Sequence, residues 1–166
     1  MFYAATCSAK IDQAFVVEGV YFYSVDEHRL GIVLTPTCDF ANEKAQFVQI
    51  CSVVTAKSFV DSIRRADWKN LNESNLRGQI KVLARQKLPR YHWLAPFPGT
   101  SEPLVADFQN LATLAFEEAS DLRIVACLAS PFREQLPARY GAYISRVGTP
   151  EFTDDELDQW ASTIVS

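Results

Sequence analysis

Phe15-Val-Val-Glu-Gly-Val-Tyr-Phe22, Leu30-Gly-Ile-Val-Leu34 and Gln46-Phe-Val-Gln-Ile-Cys-Ser-Val-Val54 are three apolar runs, each short and each bounded by turn formers. Phe15, Val17, Val20, Phe22 and Val25 sit among polar positions, the alternation of a half-buried strand. Asp26-Glu27-His28 reads as the first turn, and Thr35-Pro-Thr-Cys-Asp-Phe-Ala-Asn42 as the second. The run at 46–54 is rich in β-branched residues and reads as a buried strand. Short strands joined by short turns predict a small barrel.

The pattern changes outward from there. Phe59, Ile63 and Trp68 fall on one helical stripe, Asn70-Leu-Asn-Glu-Ser-Asn75 breaks it, and Leu76, Ile80, Leu83 and Ala84 resume it. Residues 56–87 therefore read as a helical insertion between strands. Pro89, Pro96, Pro98 and Pro103 predict extended chain, because each proline biases its predecessor away from the helical region. Leu104-Val-Ala-Asp-Phe-Gln109 and Leu122-Arg-Ile-Val-Ala-Cys-Leu128 return to strand and would close the barrel. A last helix is expected from Ser130 as N-cap and Pro131 at its first position, kinked or split at Pro137 and stopped at Gly148. Thr153-Asp-Asp-Glu156 is a capping box that opens a short helix through Trp160 and Ile164, with Phe152 and Leu157 placed as a staple. With no repeat, low-complexity tract or linker, one domain is expected over 1–166. Its barrel core covers about 15–55 and 88–129, its helical insertion about 56–87 and its C-terminal helices about 130–166, a mainly β chain of the α+β kind.

Composition narrows the function classes. Of 166 residues, 48% are hydrophobic and 22% charged, the balance of a globular domain. No apolar run approaches the roughly 20 residues of a bilayer span, and the N-terminus lacks a signal peptide's basic-then-apolar order. A cytoplasmic protein without membrane contact is expected. Cys7, Cys38, Cys51 and Cys127 form no CxxC pair, and His28 and His92 lie far apart, so no metal site, no cofactor, no disulfide scaffold and four reduced thiols are expected.

The net charge of −4 is unevenly spread: residues 1–56 carry −3, residues 57–92 carry +6 and residues 93–166 carry −7. The basic stretch holds Lys57, Arg64, Arg65, Lys69, Arg77, Lys81, Arg85, Lys87 and Arg90, interleaved with Trp68, Tyr91, His92 and Trp93. Such a mixture either tracks a nucleic-acid backbone, meets an acidic partner, or is a solvated helix face with aromatics turned to the core.

Residues 19–55 resemble the MazF/PemK toxin family, small SH3-like barrels that cleave RNA and are held inactive by a partner antitoxin. Gly19-Val-Tyr-Phe-Tyr resembles the family's opening strand after a glycine, and Arg29-Leu-Gly-Ile-Val-Leu-Thr-Pro36 its arginine, apolar strand and Ser/Thr-Pro ending. Val48-Gln-Ile-Cys-Ser-Val-Val54 resembles the strand that follows. The resemblance implies an RNA-cleaving effector in a bacterial conflict, defence or toxin–antitoxin system. It also implies a protein partner, either an antitoxin or a defence-complex subunit, and self-pairing as a homodimer. Arg29 matches the family's catalytic arginine; the catalytic threonine falls on Val54, with Ser52 and Thr55 the nearest hydroxyls. A one-residue offset turns a strand side chain to the other face, so Thr55 does not simply replace it unless a bulge intervenes. A chain that kept the barrel and lost that threonine would instead be a non-catalytic adaptor.

Three groups of candidate site residues follow. Metal-independent RNA cleavage needs a base for the 2′-hydroxyl, a proton for the leaving oxygen and a cation on the phosphorane, and Arg29 would supply the cation. Cys38 and Asp39 sit in a loop at a strand end, and a thiol there is reactive only beside a cation or imidazole, for which His92 is the candidate. Otherwise Asp39 caps its turn and Cys38 packs as a small hydrophobe. Arg139, Tyr143 and Arg146 recur on one helix face and either clamp an anion or pair internally with Glu134, Asp107 or the acidic C-terminal segment. Arg64, Arg65, Lys69, Arg85, Lys87 and Arg90 complete the expected nucleic-acid or partner surface.

Overall fold

A computed structural model describes residues 1–41, 46–66 and 70–145. Its elements are, in chain order, β1 (Phe15–Phe22), β2 (Glu27–Val33), α1 (Thr37–Ala41), β3 (Phe47–Thr55), α2 (Ala56–Ala66), α3 (Glu73–Ala84), β4 (Tyr91–Leu94), β5 (Leu104–Ala115), α4 (Phe116–Ser120), β6 (Arg123–Cys127) and α5 (Phe132–Ile144). The strands form one antiparallel sheet in the order β4-β5-β3-β2-β1-β6. The mainly β, α+β class holds, but the ladder does not close: β4 and β6 are its two edges. Gln86 covers part of the β4 edge, with its side-chain amide donating to Trp93 O at 2.9 Å and its carbonyl accepting Trp93 N at 3.0 Å. A side chain thereby takes the hydrogen bonds that a further strand would take.

Both faces of the sheet are buried, which is why its central strands read as continuous apolar runs. Along β3, Val48 and Ile50 join a cluster with Val17, Val20, Phe22 and Val33, while Cys51 and Val53 face the opposite cluster of Val16, Ile32, Leu104, Phe108 and Leu136. The second cluster is covered by α5 and by Tyr3, whose hydroxyl donates to Ala95 O at 2.6 Å. Phe59 of α2 and Leu83 of α3 pack on Val105, and Asn72 starts α3 as an N-cap accepting from Asn75 N at 2.9 Å.

Gly31 marks the tightest approach in the sheet. A Cβ there would lie 2.3 Å from Ile50 Cγ2 and 3.2 Å from Val20 Cγ2, both β-branched and buried. Gly31→Ala is therefore expected to lower stability by about 2–3 kcal/mol through overpacking. Urea denaturation checks this, and an unchanged midpoint would show that the strands separate at no cost.

Several local expectations are corrected. The first turn lies at Tyr23–Asp26, with Asp26 at φ +56°, and Glu27 and His28 already pair with Phe22 and Tyr21. Aspartate tolerates this left-handed conformation, so Asp26 ends the turn rather than opening it. The loop after β2 contains α1. β5 runs six residues past Gln109, because a bulge of Phe108, Gln109 and Asn110 interrupts the ladder between Asp107, opposite Ser52, and Leu111, opposite Cys51. Polar bulge residues inside the run hid its second half. The last helix starts at Phe132 with Pro131 as a cap position without a side-chain bond, and it runs through Pro137 as one element. Fully buried Leu136, with Tyr140 and Tyr143 packed on the core, outweighs the one hydrogen bond a proline removes. Cys7 and Cys127 form a disulfide across 120 residues, so the expectation of four reduced thiols is overturned. The N-terminal segment runs beside β6, with Ala4 N donating to Cys127 O at 3.0 Å, and this brings the two sulfurs together. Gly148, Thr153–Glu156 and the helix through Trp160 and Ile164 lie outside the described residues, as do Trp68, Lys69 and Arg146. No helix among the described residues is long and apolar enough to cross a membrane.

Candidate functional site

A cleft of about 290 Å3 opens between the β2–β3–β5 surface and α2. Its polar walls are Arg29 from β2, Ser52 from β3, Ser58 and Ser62 from α2, Arg90 before β4, and, on β5, Asp107 beside the bulge and Asn110 within it. Strand register explains the assembly. Gly31 pairs with Ser52 and Leu30 with Val53, so Arg29 falls opposite Val54, and Ser52 and Val54 share its face of the sheet. Thr55 is turned away: its Oγ1 accepts Ser58 N at 3.1 Å and begins α2. Ser52 is thus the strand hydroxyl that reaches the cleft.

The bulge is organised by one carboxylate. Asp107 Oδ1 accepts Arg90 Nε at 2.7 Å and Gln109 N at 3.1 Å, and its Oδ2 accepts Arg90 Nη2 at 2.7 Å and Asn110 Nδ2 at 2.6 Å. The bidentate pair fixes the Arg90 plane and raises its pKa, and the guanidinium also lies 5.0 Å over the Tyr91 ring. Asp107 and Asn110 were not legible as site residues; their polarity within an apolar run was the available signal. Of the internal partners considered for the Arg139 face, Asp107 is taken instead by Arg90.

Arg29 is held differently. Its Nε and Nη2 donate to Glu27 Oε2 at 2.8 and 2.7 Å, and the Glu27 side chain is 60% exposed. An exposed pair of this kind is worth at most about 1 kcal/mol, so Arg29 exchanges its carboxylate for another anion at small cost.

The remaining candidates fall elsewhere. Cys38 is exposed on α1, its thiol 3.6 Å from Asp39 Oδ1, and Thr37, Asp39 and Phe40 line a separate cavity of about 780 Å3 with Ile11, Asp12 and Phe116. His92 is 1% exposed on β4, and three strand spacings, roughly 14 Å, separate β4 from β2. The structure does not bring the thiol and the imidazole together. Instead His92 Nδ1 accepts Arg139 Nε at 3.1 Å, and the same guanidinium donates to Gln86 O at 2.8 Å, Tyr91 O at 2.9 Å and Leu88 O at 3.3 Å. Arg139 is spent inside the fold rather than presented to an anion. Arg64 and Arg65 stand exposed at the end of α2, with Arg65 Nε on Asp61 O at 3.1 Å, while Arg85 caps α3 and Lys87 is exposed beyond it.

Burial, and then the charge of Arg139, push the His92 pKa down to about 3. The unfolded chain binds this proton near pH 6.5 and the folded chain does not, so the histidine destabilises the fold progressively as pH falls from about 6.5 toward 3. Its contribution to the slope is about 1.4 kcal/mol per pH unit in that window. Urea midpoints of His92→Gln and the native chain between pH 6.5 and 4 should therefore converge as pH falls; parallel curves would contradict the buried neutral imidazole.

No protein-family model matches the sequence, and no curated protein matches it. Among solved structures, the chain is similar to an endoribonuclease in complex with its cognate antitoxin from a mycobacterial species, at 8% identity and a TM-score of 0.48 over 84% of this chain and 99% of that one. It is also similar to two structures from Deinococcus radiodurans. One is a MazE–MazF structure, at 13% identity and a TM-score of 0.45 over 83% and 98% of the two chains. The other is MazF, at 12% identity and a TM-score of 0.47 over 82% and 97%.

Proposed function

We propose that the chain is the toxin-type member of a toxin–antitoxin-like pair and that the Arg29 cleft cleaves single-stranded RNA. The observation that carries this is the convergence of Arg29, Ser52, Arg90, Asp107 and Asn110 in one open cleft. Arg29 exchanges Glu27 for a phosphodiester, and Arg90, held in orientation by Asp107, provides a second planar donor set. The released Glu27 carboxylate takes the proton of the 2′-hydroxyl, whose oxygen attacks phosphorus. The bond from phosphorus to the 5′-oxygen breaks, the 5′-oxygen takes a proton from water, and a 2′,3′-cyclic phosphate remains. Arg29 stabilises the added negative charge of the phosphorane. The exposed cations Arg64, Arg65, Arg85 and Lys87 extend the path of the strand.

A second reading is favoured by Val54, which puts an apolar side chain opposite Arg29. On that reading the cleft binds an anionic partner without chemistry. Incubating the protein with single-stranded RNA, with and without chelator, and resolving the products on a gel separates the two: fragments lost on Arg29→Ala support cleavage, and salt-dependent retention of intact RNA or of an acidic protein supports the adaptor.

A further inference from the structure

β5 outruns its neighbour. β4 pairs with Leu104–Asp107 alone, so from the bulge to Ala115 the far side of β5 is itself an edge of the sheet. The backbone groups on that edge can be counted. Phe116 N donates to Gln46 O on the β3 side, and Leu34 N donates to Gln49 O, which turns Gln49 to β2 and its neighbours Val48 and Ile50 to β5. Ala112 and Leu114, the partners of Ile50 and Val48, therefore turn their N–H and C=O groups to β3, and Leu111, Thr113 and Ala115 turn theirs outward.

Both ends of the edge are closed by carboxylates of the same chain. Asp107 Oδ1 accepts Gln109 N at 3.1 Å, and Glu118 Oε2 accepts Ala115 N at 3.2 Å. Among the described residues, the outward groups of Leu111 and Thr113 meet no protein partner. We propose that this edge pairs with the same edge of a second copy of the chain, antiparallel about Ala112, so that two sheets join into one.

The register follows from the count. A two-fold axis at Ala112 sets Leu111 opposite the second copy's Thr113, and Thr113 opposite its Leu111. Each of those pairs exchanges two hydrogen bonds, which satisfies all four outward groups of each copy and displaces neither cap. An axis at Thr113 would oppose Leu111 to Ala115, whose N–H is already taken. Sequence fits the same partner. Phe108–Phe116 holds no charged residue and no proline, so two copies meet without like charges, and the devices that keep a sheet edge single are missing. Ala112 meets its own copy at the non-hydrogen-bonded position, where strands approach most closely and a methyl group fits. Phe47, 62% exposed and paired with Ala115, stands one strand in from the edge on the face that Leu111 and Thr113 share, and supplies apolar surface for the second copy to cover. The pairing also sets the second copy's Leu114 opposite Asn110, a wall of the Arg29 cleft, so each copy borders the other's cleft. This inference is independent of RNA cleavage.

Sedimentation velocity of the full chain from micromolar to submillimolar concentration should show monomer giving way to dimer. Thr113→Pro removes an outward N–H without touching the β3 ladder and should weaken association about tenfold or more, whereas Thr113→Val should not; circular dichroism checks that both fold. The register is read by oxidation with diamide in a Cys38→Ser background. Ala112→Cys should give a disulfide-linked dimer, since facing Cα atoms at that position lie about 4.5 Å apart. Thr113→Cys should not, since its two copies lie diagonally at about 7–8 Å. A native chain that stays monomeric throughout overturns the proposal, even if the edge takes a strand from another protein. Dimerisation untouched by Thr113→Pro, or crosslinking at 113 and not at 112, overturns it as well.

Discussion

Arg139→Ala is expected to lower the unfolding free energy by about 2–4 kcal/mol, the scale for stripping one buried and three half-buried acceptors of a charged donor. The guanidinium satisfies three backbone carbonyls, Gln86, Leu88 and Tyr91, together with His92 Nδ1. Those acceptors belong to the segment that leads from α3 into β4, so one side chain of α5 fastens a sheet edge. Water does not readily replace it, since His92 is 1% exposed beneath the helix. Arg139→Lys keeps the charge but loses the planar fork, and should recover less than half of the loss. Urea denaturation followed by circular dichroism reads both variants. A native-like midpoint for Arg139→Ala would show that the network contributes nothing net.

Arg29→Ala should reduce RNA cleavage at least a hundredfold, about 2.7 kcal/mol of transition-state stabilisation, as when one donor to a developing oxyanion is removed. The same substitution should leave the urea midpoint almost unchanged, because the Glu27 partner is largely solvated and such pairs add little to stability. That separation identifies Arg29 as a group acting on substrate. Asp107→Asn should behave otherwise. It loosens Arg90 and the bulge together, so binding and stability should fall in parallel. Equal loss of stability in the Arg29 and Asp107 variants would contradict the division of roles.

The strands were legible where one period dominated. The runs around Val17, Ile32 and Ile50 gave the three central strands, and the stripes at Phe59 and Leu83 gave α2 and α3 on either side of the polar break. The expected barrel closure is overturned by the open ladder, because pairing between edge strands depends on sheet curvature, which no local pattern records. The second half of β5 was lost to its bulge, and the Cys7–Cys127 bond to its sequence separation. Within the cleft, Arg29 is legible only through the resemblance of its stretch to the MazF/PemK family, whereas Asp107 and Asn110 gained their positions from a register shift. His92 and Arg139 carried the right chemistry for a site. Only the structure shows that each serves the other, with a half-buried donor on α5 over a buried acceptor on β4.

The decisive experiment is cleavage of a single-stranded RNA in chelator, with the new 3′ end identified by mass spectrometry, beside the same strand carrying 2′-O-methyl groups. Attack by the 2′-hydroxyl under Arg29 predicts a 2′,3′-cyclic phosphate from the first strand, no cleavage of the second, and loss of product with Arg29→Ala. Cleavage of the methylated strand, or product formation that survives Arg29→Ala, would contradict it.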